Sequence, residues 1–324
     1  MFAYIVQAAD GAFREVQMPK PVPREGEVLV RICASAINPL DTKIRAGQAA
    51  HAKQPLPAVL RLDMAGVVEE SGSGVSNFRP GDEVFGMVGG VAGLQGTLAE
   101  FIAADAALLA HKPKSLTMRQ CAAMPLVTIT AWEGLVDQCN VRAGQKVLVH
   151  AGTGGVGYAS VQIARARGAK VYATVSNEKR LLMEEAGATP IDRYASVESY
   201  LAEHTGSEGF DLVYDTLGGP VLDASFVAVK RYTGHVVSCL GWGIHALAPL
   251  SFRSATYSGV FTLYPLLSGH HRAHHGKILS EAAKLADQGK LKPLLSKEQF
   301  SRSQIADAFA AVARGSNGKV VVEF

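Results

Sequence analysis

The sequence predicts an α/β chain in which a β-rich domain precedes a doubly wound parallel sheet, and three observations carry that expectation. Residues 146–175 read strand, glycine turn, helix, strand within about 30 residues. Further strand-like runs at 211–216, 234–240 and 259–263 alternate with helical stretches, the pattern of a parallel sheet covered by helices. Residues 1–120 are short strand-like runs separated by Gly and Pro turns, which predicts a barrel or sandwich.

The 324 residues are long for one core and suit two domains. With 48% hydrophobic and 19% charged residues the composition is globular, and a net charge of +3 is too small to argue for a nucleic acid or an anionic membrane as partner. Cys33, Cys121, Cys139 and Cys239 are widely spaced, form no C-x-x-C and sit in apolar surroundings, which points to reduced thiols in a cytoplasmic protein. The start, Met-Phe-Ala-Tyr-Ile-Val-Gln, reads as a strand rather than a basic leader, and no apolar run reaches the length of a membrane span.

In chain order, Tyr4–Gln7 and Phe13–Gln17 read as a hairpin across Asp10-Gly11, and Pro19, Pro21 and Pro23 as an extended link. Glu27–Ala34 is a long strand. Ala65–Glu70 and Leu98–Ala103 are further strands, and Arg79–Gly86 is a turn feeding another. From Thr117 the pattern turns helical, with Met118–Met124 and Thr130–Gln138. After Pro265 come a long helix, Lys277–Gln288, and a closing strand, Lys319–Phe324.

The decisive stretch is 146–157. The buried-strand run Val147-Leu-Val149 ends in Gly152, Gly154 and Gly157, which have G-x-G-x-x-G spacing, and Tyr158–Arg167 is amphipathic. Gly152 is expected to permit the tight turn, Gly154 to let the backbone approach a pyrophosphate, and Gly157 to let helix and strand pack closely. Thr153, Gly155 and Val156 complete this cradle of N–H groups at a helix N-terminus. An NAD site usually ends the second strand in a carboxylate that bonds the ribose 2′-OH. Here Ser176 takes that place, followed by Asn177, Glu178, Lys179 and Arg180. A hydroxyl and two cations suit a 2′-phosphate, so NADPH is the expected cofactor, with Glu178 turned to solvent.

Glu27-Val-Leu-Val-Arg, Asn38-Pro-Leu-Asp41, Asp63-Met-Ala-Gly-Val-Val68, Pro80-Gly-Asp-Glu-Val-Phe-Gly86, Gly96-Thr-Leu-Ala-Glu-Phe101 and Ala151-Gly-Thr-Gly-Gly-Val-Gly157 follow one another in an order and spacing that resemble the medium-chain dehydrogenase/reductase superfamily, and within it the zinc-independent, zeta-crystallin-like NADPH:quinone oxidoreductase branch. The resemblance spans essentially the whole chain. It implies a GroES-like catalytic domain at 1–120 and 265–324, a Rossmann domain at 121–264, and a homodimer formed by Rossmann sheet edges. The places that hold catalytic zinc in the alcohol dehydrogenase branch fall on Asn38, Leu62 and Leu126, two of which cannot ligate, so no metal is expected.

Without a Lewis acid, what remains is hydride transfer from the nicotinamide to quinones or to alkenes conjugated to a carbonyl, with donors aimed at the developing charge. Asn38 and Lys43 are the candidate donors, in a stretch resembling the branch's loop over the nicotinamide, and Asp41 is placed to orient Lys43. Many relatives carry Tyr where this chain has Lys43 and another Tyr near Ala49, so their tyrosine roles do not transfer. Lys43 reads either as a ribose anchor or as the group that polarises the substrate carbonyl. By the same resemblance Thr130 lies near the nicotinamide, Arg193 covers the adenine, and Leu240, Gly241, Phe261 and Leu263 line the nicotinamide side. Gly269-His-His-Arg-Ala-His-His-Gly276 holds the pairs His270/His274 and His271/His275 at helical spacing, read here as a solvated, partly cationic lip rather than a metal site. The competing function is an NADPH-binding protein with little turnover, serving a structural, sensory or RNA-binding role; the absence of both loop tyrosines favours it, and the absence of a basic stripe argues against RNA.

Overall fold

Val28, Val30 and Ile32 sit among Leu29, Ala34 and Ala36 in a run without proline or glycine. The computed structural model, which describes residues 1–324, forms there an 11-residue strand, Glu27–Ile37, buried along most of its length. It pairs antiparallel with Asp63–Ser71 on one side. On its other side Phe101–Asp105 covers its first half and Val320–Glu323 its second. Glu83–Met87, Leu109–His111 and Phe300–Ser301 complete a seven-stranded sheet. A three-stranded sheet holds Phe13–Gln17, Phe2–Val6 and Ala58–Val59, and the hairpin expected across Asp10-Gly11 forms with Phe2 opposite Gln17. These sheets belong to a unit made of Met1–Ile129 and Leu263–Phe324.

The second unit is Thr130–Thr262. Its six parallel strands lie in the order Thr189–Asp192, Lys170–Val175, Lys146–Val149, Leu212–Asp215, His235–Ser238 and Thr256–Gly259. That is a doubly wound sheet whose direction of winding reverses between Lys146–Val149 and Leu212–Asp215. Leu148, Val213, Val236, Phe210 and Phe226 share its core. The last strand lies earlier than the sequence predicts, because Thr256 and Tyr257 join the ladder and the chain turns away after Val260 bonds Ser238. The helix expected at 130–138 also differs: the α-helix Pro125–Trp132 passes into a π-helical turn, Glu133–Gln138. Gly134 lies against the Tyr214 ring there, and a Cβ would stand 2.7 Å from it.

In the first unit the closing strand brings Lys319 to Asn38, Asp41, Arg61 and Asp63, none more than 8% exposed. Lys319 Nζ donates to Asn38 Oδ1 and to the Ile37 carbonyl, and lies 4.0 Å from Asp63 Oδ2. Asn38 Nδ2 donates to Asp63 Oδ2 at 2.9 Å, and the Leu126 amide, at the start of helix Pro125–Trp132, donates to Asp63 Oδ1 at 3.0 Å. Asp41 Oδ2 accepts from the Asn38 amide at 2.6 Å and so closes a capping box on helix Pro39–Arg45. Arg61 donates to the carbonyls of Ser35 and Ala36. Buried charges are tolerated only when paired and hydrogen-bonded, and this network joins two carboxylates to two cations.

Burial pushes Asp41 up to about 7 and Asp63 up to about 6, against the opposing pull of hydrogen bonds and of Arg61 and Lys319. A carboxyl raised on folding holds its proton more tightly in the native state than in the unfolded chain. Its contribution to stability is therefore full below the ordinary value of 3.8 and is lost as pH rises through about 6 to 7. The urea midpoint of unfolding should fall between about pH 4 and pH 7, and Asp41→Asn, fixed in the uncharged form, should flatten that fall. An unchanged slope in Asp41→Asn would contradict this account of the network.

Candidate active site

The glycine turn follows Lys146–Val149 at the carboxyl edge of the parallel sheet. Its left-handed residue is Ala151, with φ 53°, so the tight turn expected of Gly152 is made one residue earlier. Gly152 is needed for packing: a Cβ there would stand 2.7 Å from Ala173 Cβ and 2.9 Å from Met183 Sδ. Gly157 behaves as expected, since its Cβ would stand 2.2 Å from the Ala151 carbonyl oxygen. Gly154 is the N-cap of helix Gly155–Ala166 and no side chain caps it. The first-turn amides of Gly155, Val156 and Gly157 are thereby left to an anion, with Thr153 in the same turn. A pyrophosphate fits this cradle.

Beside it, Ser176 and Lys179 follow strand Lys170–Val175, and Arg193 is drawn to the same edge by its amide bond to the Val175 carbonyl, 2.9 Å. Glu178 is fully exposed, but it is not simply turned to solvent. The Ser176 hydroxyl bonds it, and Arg193 and Lys179 add to the lowering of its carboxyl below the ordinary value. Arg180 is exposed one residue beyond Lys179. Sequence reasoning passed over Tyr194, 80% exposed, whose ring lies under the Arg193 guanidinium at 4.6 Å; its signal was an aromatic directly after a candidate cation.

On the other side of the winding reversal, Asp215 fixes the strand ends. It accepts from the amides of Leu217 and Gly218 at 3.0 Å and from Ser238 Oγ at 2.6 Å. Ser238 Oγ in turn accepts from the Leu240 amide at 3.1 Å, which sets Leu240-Gly241 at the sheet edge. A Cβ on Gly241 would stand 2.0 Å from the Tyr257 hydroxyl, so a larger residue there requires that partly exposed ring to move. Phe261 is 41% exposed and Leu263, in the other unit, is buried. Thr130 is buried, with the Tyr214 hydroxyl on its carbonyl at 2.6 Å and the Thr262 hydroxyl 3.0 Å from its own. His150, next to the glycine turn, is held neutral: burial pushes it down to about 4, against the pull of Asp215.

In the first unit the candidate donors separate. Asn38 is 1% exposed and its amide is engaged by Lys319 and Asp63, while Asp41 is fully buried. Lys43 is exposed on the other side of helix Pro39–Arg45, so Asp41 orients Asn38 rather than Lys43. Lys43 instead faces His51, whose ring is pushed down by burial and then by that ammonium. Lys319 was not legible as a site residue, because no local pattern links it to Asn38, 281 residues away. The helix that takes up the histidine segment is Arg272–Asp287, with His271 left-handed at its N-cap. His270 and His271 therefore lie outside it, His275 is buried, and the expected i, i+4 pairs do not form on one face. No three His, Cys, Asp or Glu side chains are grouped to hold a metal. The four thiols are free, and burial pushes those of Cys121, Cys139 and Cys239 up to about 12. No helix is long and apolar enough to cross a membrane.

The family description for alcohol dehydrogenase GroES-like domains matches residues 24–114, and that for zinc-binding dehydrogenases matches 155–271. The second name implies zinc, yet Asn38, Leu62 and Leu126 lie outside its matched segment and do not fit the ion. Leu62 is a fully buried hydrocarbon, and an ammonium already occupies Asn38 Oδ1. An alcohol dehydrogenase superfamily protein from Novosphingobium aromaticivorans is 56% identical, with a TM-score of 0.98 over 100% of this chain and 99% of that one. The NADPH-dependent alkenal/one oxidoreductase, chloroplastic, of Arabidopsis thaliana is 35% identical over 93% of this chain and 73% of its own length. The mitochondrial NAD(P)H oxidoreductase RTN4IP1 of Bos taurus is 32% identical over 96% and 85%. With the β-rich unit, the doubly wound sheet and its glycine turn, these likenesses mean that the chain belongs to the medium-chain dehydrogenase/reductase superfamily.

Proposed function

We propose that the protein is a zinc-independent, NADPH-dependent reductase that delivers hydride to alkenes conjugated to a carbonyl, or to quinones. The observation that carries this reading is the Lys319 ammonium on Asn38, together with the buried hydrocarbon of Leu62, at positions where the zinc branch needs ligands. A reductase without a Lewis acid requires an acceptor that is electron-poor by itself, and enones, enals and quinones are such acceptors. The relative named as an alkenal/one oxidoreductase supports the first of these classes.

Bound NADPH supplies a hydride from its nicotinamide ring. This chain's residues do the rest. Gly155, Val156 and Gly157 hold the pyrophosphate with their amides, and Thr153 adds a hydroxyl. Ser176, Lys179, Arg180 and Arg193 take the 2′-phosphate; Ser176, Arg193 and Lys179 already attract the Glu178 carboxylate, so an anion with more charge suits them better. Leu240, Gly241, Phe261 and Leu263 exclude water from the ring, and Thr130 meets it. Lys43 is the exposed ammonium assigned to the acceptor's carbonyl oxygen, while Asn38 and Asp41 cap the start of the helix that carries it and do not touch its ammonium.

We also assign a homodimer. Thr256–Gly259 is an edge strand with one side unpaired, and Ile244, Phe252 and Trp242 nearby in sequence are 101%, 85% and 51% exposed. Sedimentation should give twice the chain mass, and a monomer at micromolar concentration would refute this assignment.

Absorbance of the reduced nicotinamide, followed with an enone, an enal, a benzoquinone and a naphthoquinone, tests the activity. Turnover should be strong with NADPH and weak with NADH, and Lys179→Ala with Arg180→Ala should raise the KM for NADPH about tenfold or more while leaving the weak NADH use nearly unchanged. Tight NADPH binding with no acceptor consumed would instead establish the low-turnover binding protein.

A further inference from the structure

Glu133, Thr262 and Thr130 meet at the half of the sheet edge farthest from Ser176. Thr262 Oγ1 lies 2.9 Å from Glu133 Oε2 and 3.0 Å from Thr130 Oγ1. Both threonines are buried, at 5% and 8% exposure. The fully buried Tyr214 donates to the Thr130 carbonyl, so the backbone of Thr130 is tied to strand Leu212–Asp215 and its side chain to Thr262, in the segment that follows strand Thr256–Gly259. Glu133 opens the π-helical turn, and such turns recur at functional sites.

A hydroxyl carries one proton and two lone pairs, and a carboxylate only accepts. Glu133 and Thr130 therefore compete for the single proton of Thr262. A charged acceptor makes the stronger bond, so Glu133 anchors the Thr262 hydroxyl, which in turn fixes the Thr130 side chain through their 3.0 Å contact; the Thr130 oxygen has two lone pairs with which to accept. A dinucleotide whose pyrophosphate lies over Gly155–Gly157, with its adenosine end at Ser176, extends its other end across the winding reversal toward this group. The nicotinamide carboxamide presents N–H donors there.

We propose that Glu133 and Thr262 are positioning residues for the nicotinamide: Glu133 accepts a hydrogen bond from the Thr262 hydroxyl and so holds Thr130 in place, and the Thr130 oxygen accepts from the carboxamide. This rests on the dinucleotide reading above and deepens it.

Calorimetric titration of the whole protein with NADP⁺ and with 2′-phospho-ADP-ribose, which lacks the nicotinamide, tests both. Glu133→Met and Thr262→Val should each weaken NADP⁺ about threefold to tenfold and leave the fragment unchanged, which also shows that the variants are folded. Thr262→Ser should bind like the parent. The Thr130→Val, Glu133→Met double variant should be little worse than either single one, as expected for residues acting in one chain. Equal weakening of both ligands, or no change in either, would overturn the proposal. If the parent protein binds the fragment and NADP⁺ equally well, this proposal fails and the dinucleotide reading stands; if it binds neither, both fail.

Discussion

A lysine ammonium held out of water between Asn38 and Asp63 is the interaction on which the first unit depends. Through it the closing strand Val320–Glu323, the long strand Glu27–Ile37, the start of helix Pro39–Arg45 and the start of helix Pro125–Trp132 converge on one point. Breaking one partner out of such a buried network costs about 3–5 kcal/mol, a large fraction of the stability of an ordinary domain. The cost enforces geometry: Asp63 can satisfy Asn38, Leu126 and Lys319 together only if those backbone segments keep their positions.

That network also defines what chemistry is open to the protein. A site whose would-be ligands are an amide already bonded to an ammonium and two hydrocarbon side chains has no means of polarising an unactivated carbonyl with a metal. In the function proposed above the acceptor is therefore one that is already electron-poor, and the protein's contribution is placement, desolvation and a few donors. The second unit supplies placement. Its strands all end on one edge, so the cation cluster after Lys170–Val175, the anion cradle after Lys146–Val149 and the Asp215–Ser238 brace lie in the order a dinucleotide would meet them.

Much of this was legible in the sequence. The glycine spacing at 152–157, the alternation of strand and helix after it, and the Asp10-Gly11 hairpin are local patterns, and local patterns survive folding. The lack of a carboxylate at Ser176 and of ligands at Leu62 and Leu126 could also be read directly. What escaped were relations between distant positions. Lys319 meets Asn38 across nearly the whole chain, and Thr262 meets Thr130 through sheet topology alone. Spacing misled where several conformations share it: the histidines at 270–275 have helical periodicity, but Gly269 and a left-handed His271 start the helix too late to use it. Gly152 is glycine for packing and not for its backbone angle, a distinction that needs Ala173 and Met183 in place.

Zinc content of protein purified without chelator, measured alongside NADPH-dependent enone reduction before and after chelation, tests the central claim most directly. An internal ammonium in place of a metal predicts far less zinc than one ion per chain and undiminished turnover after chelation. Stoichiometric zinc, removed together with the activity, would contradict it.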